Sequence, residues 1–223
     1  MKGLGTVQVQ QKKFKLLGLE GKFRATYGNL PVGFVMVIQG ESGNGKTEGT
    51  IQVLKYLTQF GKVAWVSYEQ GHGFDLQMAI NRNKMEEVSG KVVWLDPNDK
   101  RKIDPLTGLP MSYFKELDAA MGARNSPWAW FIDSLDYLRL TWEEYTYLKN
   151  KYGKKKAIIF IAHTEGSKPK LAITKAIGFD GGLTLLVKKY IMYPVKNRFG
   201  GNEPYIIWDE KARELNPAFF KED

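Results

Sequence analysis

Eight consecutive residues, Gly40-Glu41-Ser42-Gly43-Asn44-Gly45-Lys46-Thr47, match the phosphate-loop pattern G-x-x-x-x-G-K-[ST] at every fixed position. The pattern constrains the fold strongly, because such a loop works between the end of a strand and the start of a helix. Both flanks are present. The apolar run Gly33-Phe34-Val35-Met36-Val37-Ile38-Gln39 precedes it, and a helix-forming stretch from Gly45 to about Phe60 follows. Glycines let the backbone curl so that successive N–H groups face an anion, and the helix N-terminus adds partial positive charge. Residues Gly40, Glu41, Ser42, Gly43, Asn44, Gly45, Lys46 and Thr47 are therefore expected to cradle a nucleoside triphosphate. Lys46 would reach the β- and γ-phosphates and the Thr47 hydroxyl would hold Mg²⁺.

Downstream, short apolar runs alternate with helical periods. Val63 to Tyr68, Lys91 to Leu95, Trp128 to Ile132 and Ala157 to Ala162 predict strands. Asp75 to Met85, Ser112 to Ala123 and Thr141 to Tyr152 predict helices; Ser112 reads as a cap and Thr141-Trp142-Glu143-Glu144 as a capping box. Residues 97–111 hold three prolines and read as a loop, whereas 183–195 and 204–208 read as antiparallel strands. This order predicts an α/β fold with a mostly parallel central sheet flanked by helices and antiparallel strands near the C-terminus. A chain of 223 residues suits a single domain, here 33–223, with 1–32 as a lead-in packed on the core. Trp65, Trp94, Trp128 and Trp130 read as core or interface packing, and period two puts Trp128 and Trp130 on one strand face.

In an open parallel sheet the ligand crevice lies at the carboxyl ends of the strands. Asp133 closes an apolar run and is the candidate second Mg²⁺ ligand. Glu69 closes another and is the candidate base for an attacking water, with Asp136 as the competing carboxylate. Arg82, thirteen positions after Glu69, could stack on a base. Thirty-three Lys and Arg against 24 Asp and Glu give a net charge of +9, with clusters at Lys12, Lys13 and Lys15, at Lys151 and 154–156, and at Lys168, Lys170 and Lys175. Such a balance suits an anionic partner such as nucleic acid, and a solvated lysine-rich surface explains it equally well. The absence of cysteine excludes disulfides and thiolate metal sites, and the two histidines, one of them His72 among glycines, make a poor zinc set. No apolar run approaches a membrane span, and Met1 to Gly5 lacks a signal peptide's apolar stretch, so a cytoplasmic location is the expectation.

With these motifs in order, the chain resembles RecA-like ATPases, in particular the RadA/Sms-type recombination ATPases and the hexameric replicative helicases. The resemblance rests on the phosphate loop, Glu69, Asp133-Ser134, a strand ending in His163-Thr164, and Lys196-Asn197-Arg198-Phe199-Gly200. The last matches the KNRFG motif of the RadA/Sms-type proteins letter for letter. The resemblance implies ATP as the nucleotide, His163 as a sensor of its γ-phosphate, and Lys196 and Arg198 as cations reaching into a neighbouring subunit's site. It thereby implies a homo-oligomer, ring or filament. It also implies DNA, single-stranded by preference, as a partner held by the segments 135–141 and 164–182, read here as loops. The chain has neither the zinc ribbon nor the protease-like domain of the RadA/Sms type, and looks like a stripped core of the kind expected in a phage or mobile element. Two rivals share the phosphate loop. A small-molecule or nucleotide kinase would need an arginine-rich lid, and only Arg101 and Arg124 flank residues 100–125. A non-catalytic ATP-gated interaction module would need no base.

Overall fold

The structure, a computed structural model, describes residues 3–221; Met1 and Lys2 of the lead-in, and Glu222 and Asp223, lie outside the described residues. Two short helices, α1 (Thr6–Gln10) and α2 (Gly21–Tyr27), open the chain. β1 (Phe34–Gly40) then runs through the phosphate loop into α3 (Lys46–Leu57). β2 (Val63–Ser67), α4 (Phe74–Arg82), β3 (Val92–Leu95), α5 (Tyr113–Gly122) and β4 (Ala129–Asp133) follow. After β4 come the single turn α6 (Leu135–Leu138), α7 (Trp142–Tyr152) and β5 (Ala157–Glu165). β6 (Lys168–Pro169) folds back on β5 ahead of α8 (Ala172–Asp180). β7 (Leu183–Lys188), β8 (Ile191–Asn197), β9 (Tyr205–Ile206) and α9 (Asp209–Leu215) complete the order.

The sheet runs β3-β2-β4-β5-β1-β7-β8-β9. Pairing is parallel from β3 across to β7 and antiparallel for β8 and β9, so the stretch 183–195, expected as one antiparallel strand, is two: β7 runs parallel to β1 and β8 turns back on it. β1 is buried at all seven positions because it lies inside the sheet with helices on both sides. Alternate residues of the strands feed two cores. Phe34, Met36 and Ile38 pack with Ile51, Leu54 and Leu57 of α3. Val35 and Val37 face the opposite layer, where Leu117 of α5, Tyr145 and Leu148 of α7 and Ile177 of α8 gather. Both predicted caps form: Ser112 accepts from the Lys115 N–H, and Thr141 and Glu144 bond reciprocally at 2.9 and 3.2 Å.

Several expectations need correction. The lead-in packs on the core from Leu17 onward, through Leu19, Tyr27 and Leu30, whereas residues 3–16 are exposed throughout. Segment 164–182 is a β5–β6 hairpin followed by α8, not a flexible loop. Segment 135–141 is anchored by buried Leu135, Leu138 and Leu140. Trp128 and Trp130 do not share a face: β4 begins only at Ala129, so Trp128 turns to the α3 side against Phe60, while Trp130 points to the α5 side.

Candidate nucleotide site

β1 ends where its neighbours β5 and β7 still flank it, with Gly40 level with His163 and Val187. The chain must leave the sheet there, and the loop does so through positive-φ Gly43 and Gly45. Gly45 has φ +91, and a Cβ on it would lie 2.6 Å from the Tyr190 ring, so both conformation and space demand glycine. The β7–β8 turn pins the loop from outside: Lys189 N–H donates to Asn44 Oδ1 at 2.8 Å and Tyr190 N–H to the Asn44 carbonyl at 3.0 Å. Among the described residues no acceptor is recorded for the backbone N–H groups of Gly43, Asn44, Gly45, Lys46 and Thr47. These donors form a cradle suited to phosphate oxygens.

Lys46, Thr47, Glu69, Asp133 and His163 all line one cavity of about 420 Å³ above this loop. Lys46 is buried and its Nζ donates to the Glu41 carbonyl at 3.2 Å. Burial lowers its pKa despite the carboxylates of Asp133, Glu69, Asp136 and Glu41 around it. Asp133 is buried at the end of β4, and desolvation, with Glu69 nearby, pushes its pKa up to about 7 against the pull of Lys46 and His163. The Thr47 hydroxyl and the Asp133 carboxylate are hard oxygen donors beside the phosphate cradle. That set fits Mg²⁺, which binds through one or two protein oxygens with phosphates and water supplying the rest.

Glu69 follows β2 and is positioned by its own backbone, since the Tyr68 and Glu69 N–H groups both donate to the Asp133 carbonyl, at 2.6 and 3.2 Å. Its Oε2 lies 2.8 Å from His163 Nε2. That hydrogen bond is the largest cause holding the Glu69 carboxyl below its ordinary value. Asp136 accepts the His163 backbone N–H at 2.9 Å and lines a different cavity, of about 770 Å³, with Tyr137, Arg139 and Lys170. Ser42, Glu69 and His163 border both cavities, so the Glu69–His163 pair forms a wall between them.

The remaining sequence candidates divide. Arg82 reaches the nucleotide cavity but pairs with Glu48 of α3, its Nε at 2.7 Å, and Asn83 donates to the same carboxylate at 2.6 Å. Lys196 and Arg198 do not line it. Lys196 Nζ donates to the carbonyls of Gly178 (2.8 Å), Gly181 (2.7 Å) and Phe179 at the end of α8, and Arg198 donates to Phe179. Sequence reasoning missed the Glu48–Arg82 link and the Tyr190 cover over Gly45. A Glu in the first turn of α3 was the one visible signal for the former.

A parallel sheet that carries a phosphate loop after β1, one acid just past β2 and another at the last position of β4, and an antiparallel β7–β8–β9 margin defines a RecA-like P-loop fold. Solved structures agree on the fold. The chain is similar to the flagellar accessory protein FlaH from Methanocaldococcus jannaschii, with TM-score 0.59 and 18% identity, covering 87% of this chain and 97% of that one. It is equally similar to a KaiC-like protein from the archaeon Pyrococcus horikoshii, with TM-score 0.59 and 18% identity over 86% and 93% of the two chains. No family model matches the chain, and no curated protein matches it.

Proposed function

We propose that the protein is a Mg²⁺-dependent ATPase that works as a homo-oligomer on single-stranded DNA. The observation that carries the proposal is the convergence of Lys46, Thr47, Glu69 and Asp133 on a cavity that opens onto the phosphate cradle. Lys46 and the loop N–H groups bind and orient the triphosphate. Thr47 and Asp133 would hold Mg²⁺, which when bound neutralises phosphate charge. Glu69 orients a water molecule and takes its proton, and the His163 side chain fixes where that carboxylate points. Arg198, exposed and remote from its own chain's cavity, acts on a neighbouring copy, where a cation offsets the charge that grows in the transition state, while Lys196, held by three carbonyls at the end of α8, keeps that segment in place.

The DNA reading draws on the second cavity. Its Arg139 and Lys170 offer cations to a phosphate backbone, and its wall is the Glu69–His163 pair itself. A strand held there would be felt directly by the base. The kinase alternative gains nothing from Arg101, which is engaged by Glu116 and the Met111 carbonyl. Phosphate release from ATP, measured with and without Mg²⁺ and single-stranded DNA, tests the proposal. The expected result is Mg²⁺-dependent turnover raised by DNA and abolished in Lys46→Ala. Absence of turnover at every protein concentration, or transfer of phosphate to a small acceptor, would overturn it.

A further inference from the structure

We propose that the amino-terminal strap around Lys12, Lys13, Phe14 and Lys15 is a separate contact for single-stranded nucleic acid, outside both cavities described above. The inference rests on the DNA reading only in sharing its class of ligand. Phe14 is 72% exposed, so its ring face is open to solvent. Lys12, Lys13 and Lys15 surround it, all exposed, and none of the three makes an ion pair among the described residues.

The strap is nevertheless fixed at its root. Leu16 bridges Pro31, the Leu17 N–H donates to the Leu30 carbonyl at 2.9 Å, and Val32 N–H donates to the Lys15 carbonyl at 2.9 Å. Cations and an open aromatic face are thus presented from an anchored base. This is the pairing that binds single strands: ammonium groups on phosphates and a ring on which a base stacks.

Charge selects the occupant. The first nineteen residues contain no Asp or Glu, and the chain as a whole carries +9. A segment of that charge attracts a polyanion. A lipid surface fits less well. The exposed Val7 and Val9 of α1 are two positions apart on different sides of the helix, and exposed Leu4, Phe14 and Leu16 lie outside it, so the segment's apolar side chains form no single helical face to insert.

The test is anisotropy of a labelled oligodeoxythymidine, titrated across salt concentrations without nucleotide. Full-length wild type is compared with Phe14→Ala, with Lys12→Ala/Lys13→Ala/Lys15→Ala, and with Arg139→Ala/Lys170→Ala. Phe14→Ala is expected to weaken binding about tenfold through lost stacking. The strap triple variant should lower the slope of log affinity against log salt by about two. Melting temperature and DNA-free ATP turnover should stay at wild-type values in both, because these side chains lie on the exposed strap, away from the nucleotide site. Loss in the strap variants with none in Arg139→Ala/Lys170→Ala supports the strap and removes the cavity-side contact. The strap proposal is overturned by unchanged affinity and slope in its variants, or by a wild type that binds no oligonucleotide. A strap-dependent change in particle mass, or strap-dependent capture by anionic phospholipid vesicles in place of the oligonucleotide, overturns it as well.

Discussion

Burial raises Asp133 from an ordinary carboxyl value of 3.8 to about 7, so the folded protein holds that proton more tightly than the unfolded chain does. Folded stability therefore falls as pH rises from about 4 through 7, where the ionised carboxylate sits buried with Glu69 beside it. Asp133→Asn removes this cost. In chelator at pH 8 the variant should melt above wild type, by up to ~4 kcal/mol of stability, while Mg²⁺-dependent turnover disappears. A variant that melts lower than wild type would show that the buried charge is compensated in some other way. Glu69 has the opposite shift. His163 holds its carboxyl low, so Glu69 is ionised, and able to accept a proton, down to a lower pH than an isolated glutamate. Removing that donor in His163→Ala should move the acid limb of the kcat/KM profile to higher pH. Glu69→Gln should cut turnover by ~10²–10⁴-fold while nucleotide binding persists. None of this pairing was legible in the sequence, because Glu69 and His163 lie 94 positions apart and only the sheet order brings them together. The placement of Lys46, Thr47 and Asp133 at the strand ends was legible, since each sits in a local strand–loop pattern.

Elements that declare themselves by composition were the legible ones. β1, β2, β4 and β5 are apolar at nearly every position because both faces are covered, and α5 and α7 carry their own caps. α8 was hidden. Its nine residues follow a polar hairpin, and it buries little more than Thr174, Ile177 and Gly178. The Gly181 N–H caps its Ile177 carbonyl at 2.7 Å, and Lys196 from β8 bonds the carbonyls beyond it. The KNRFG segment is thus structural as well as whatever it does for a neighbour. Asn197 Nδ2 donates to the carbonyls of Thr26 (3.1 Å), Tyr27 (3.3 Å) and Gly201 (2.7 Å), tying β8 to α2. Gly28 closes that joint: its φ is +74, and a Cβ would lie 2.1 Å from the Phe199 carbonyl oxygen. Gly28→Ala is accordingly expected to destabilise the fold by more than ~1 kcal/mol, read by denaturant midpoint. Lys196→Ala should lose roughly 1–3 kcal/mol by removing the Gly181 carbonyl's side-chain donor and leaving those of Gly178 and Phe179 to Thr184 and Arg198 alone. Arg198→Ala, whose side chain is exposed, should leave the midpoint near wild type. Equal midpoints for Lys196→Ala and wild type would remove the capping role.

At the scale of the whole molecule, the nucleotide cavity and the Lys196–Arg198 segment occupy different parts of one fold, and a head-to-tail assembly would bring one copy's Arg198 to the next copy's cavity. Such a contact is heterologous, so two different defects can be placed on opposite sides of the same interface. Glu69→Gln spoils the site that a subunit owns; Arg198→Ala spoils what it lends. Each variant alone should be nearly inactive. In an equimolar mixture, about a quarter of the interfaces combine an intact Glu69 with an intact Arg198 from the adjacent copy. Turnover should therefore recover to a comparable fraction of wild type, and fall again on dilution as the assembly dissociates. An active Arg198→Ala on its own, or a mixture no more active than the average of its parts, would place the chemistry within a single subunit. Arg198 tests this more cleanly than Lys196, because losing Lys196 also frees the end of α8 and confounds assembly with folding.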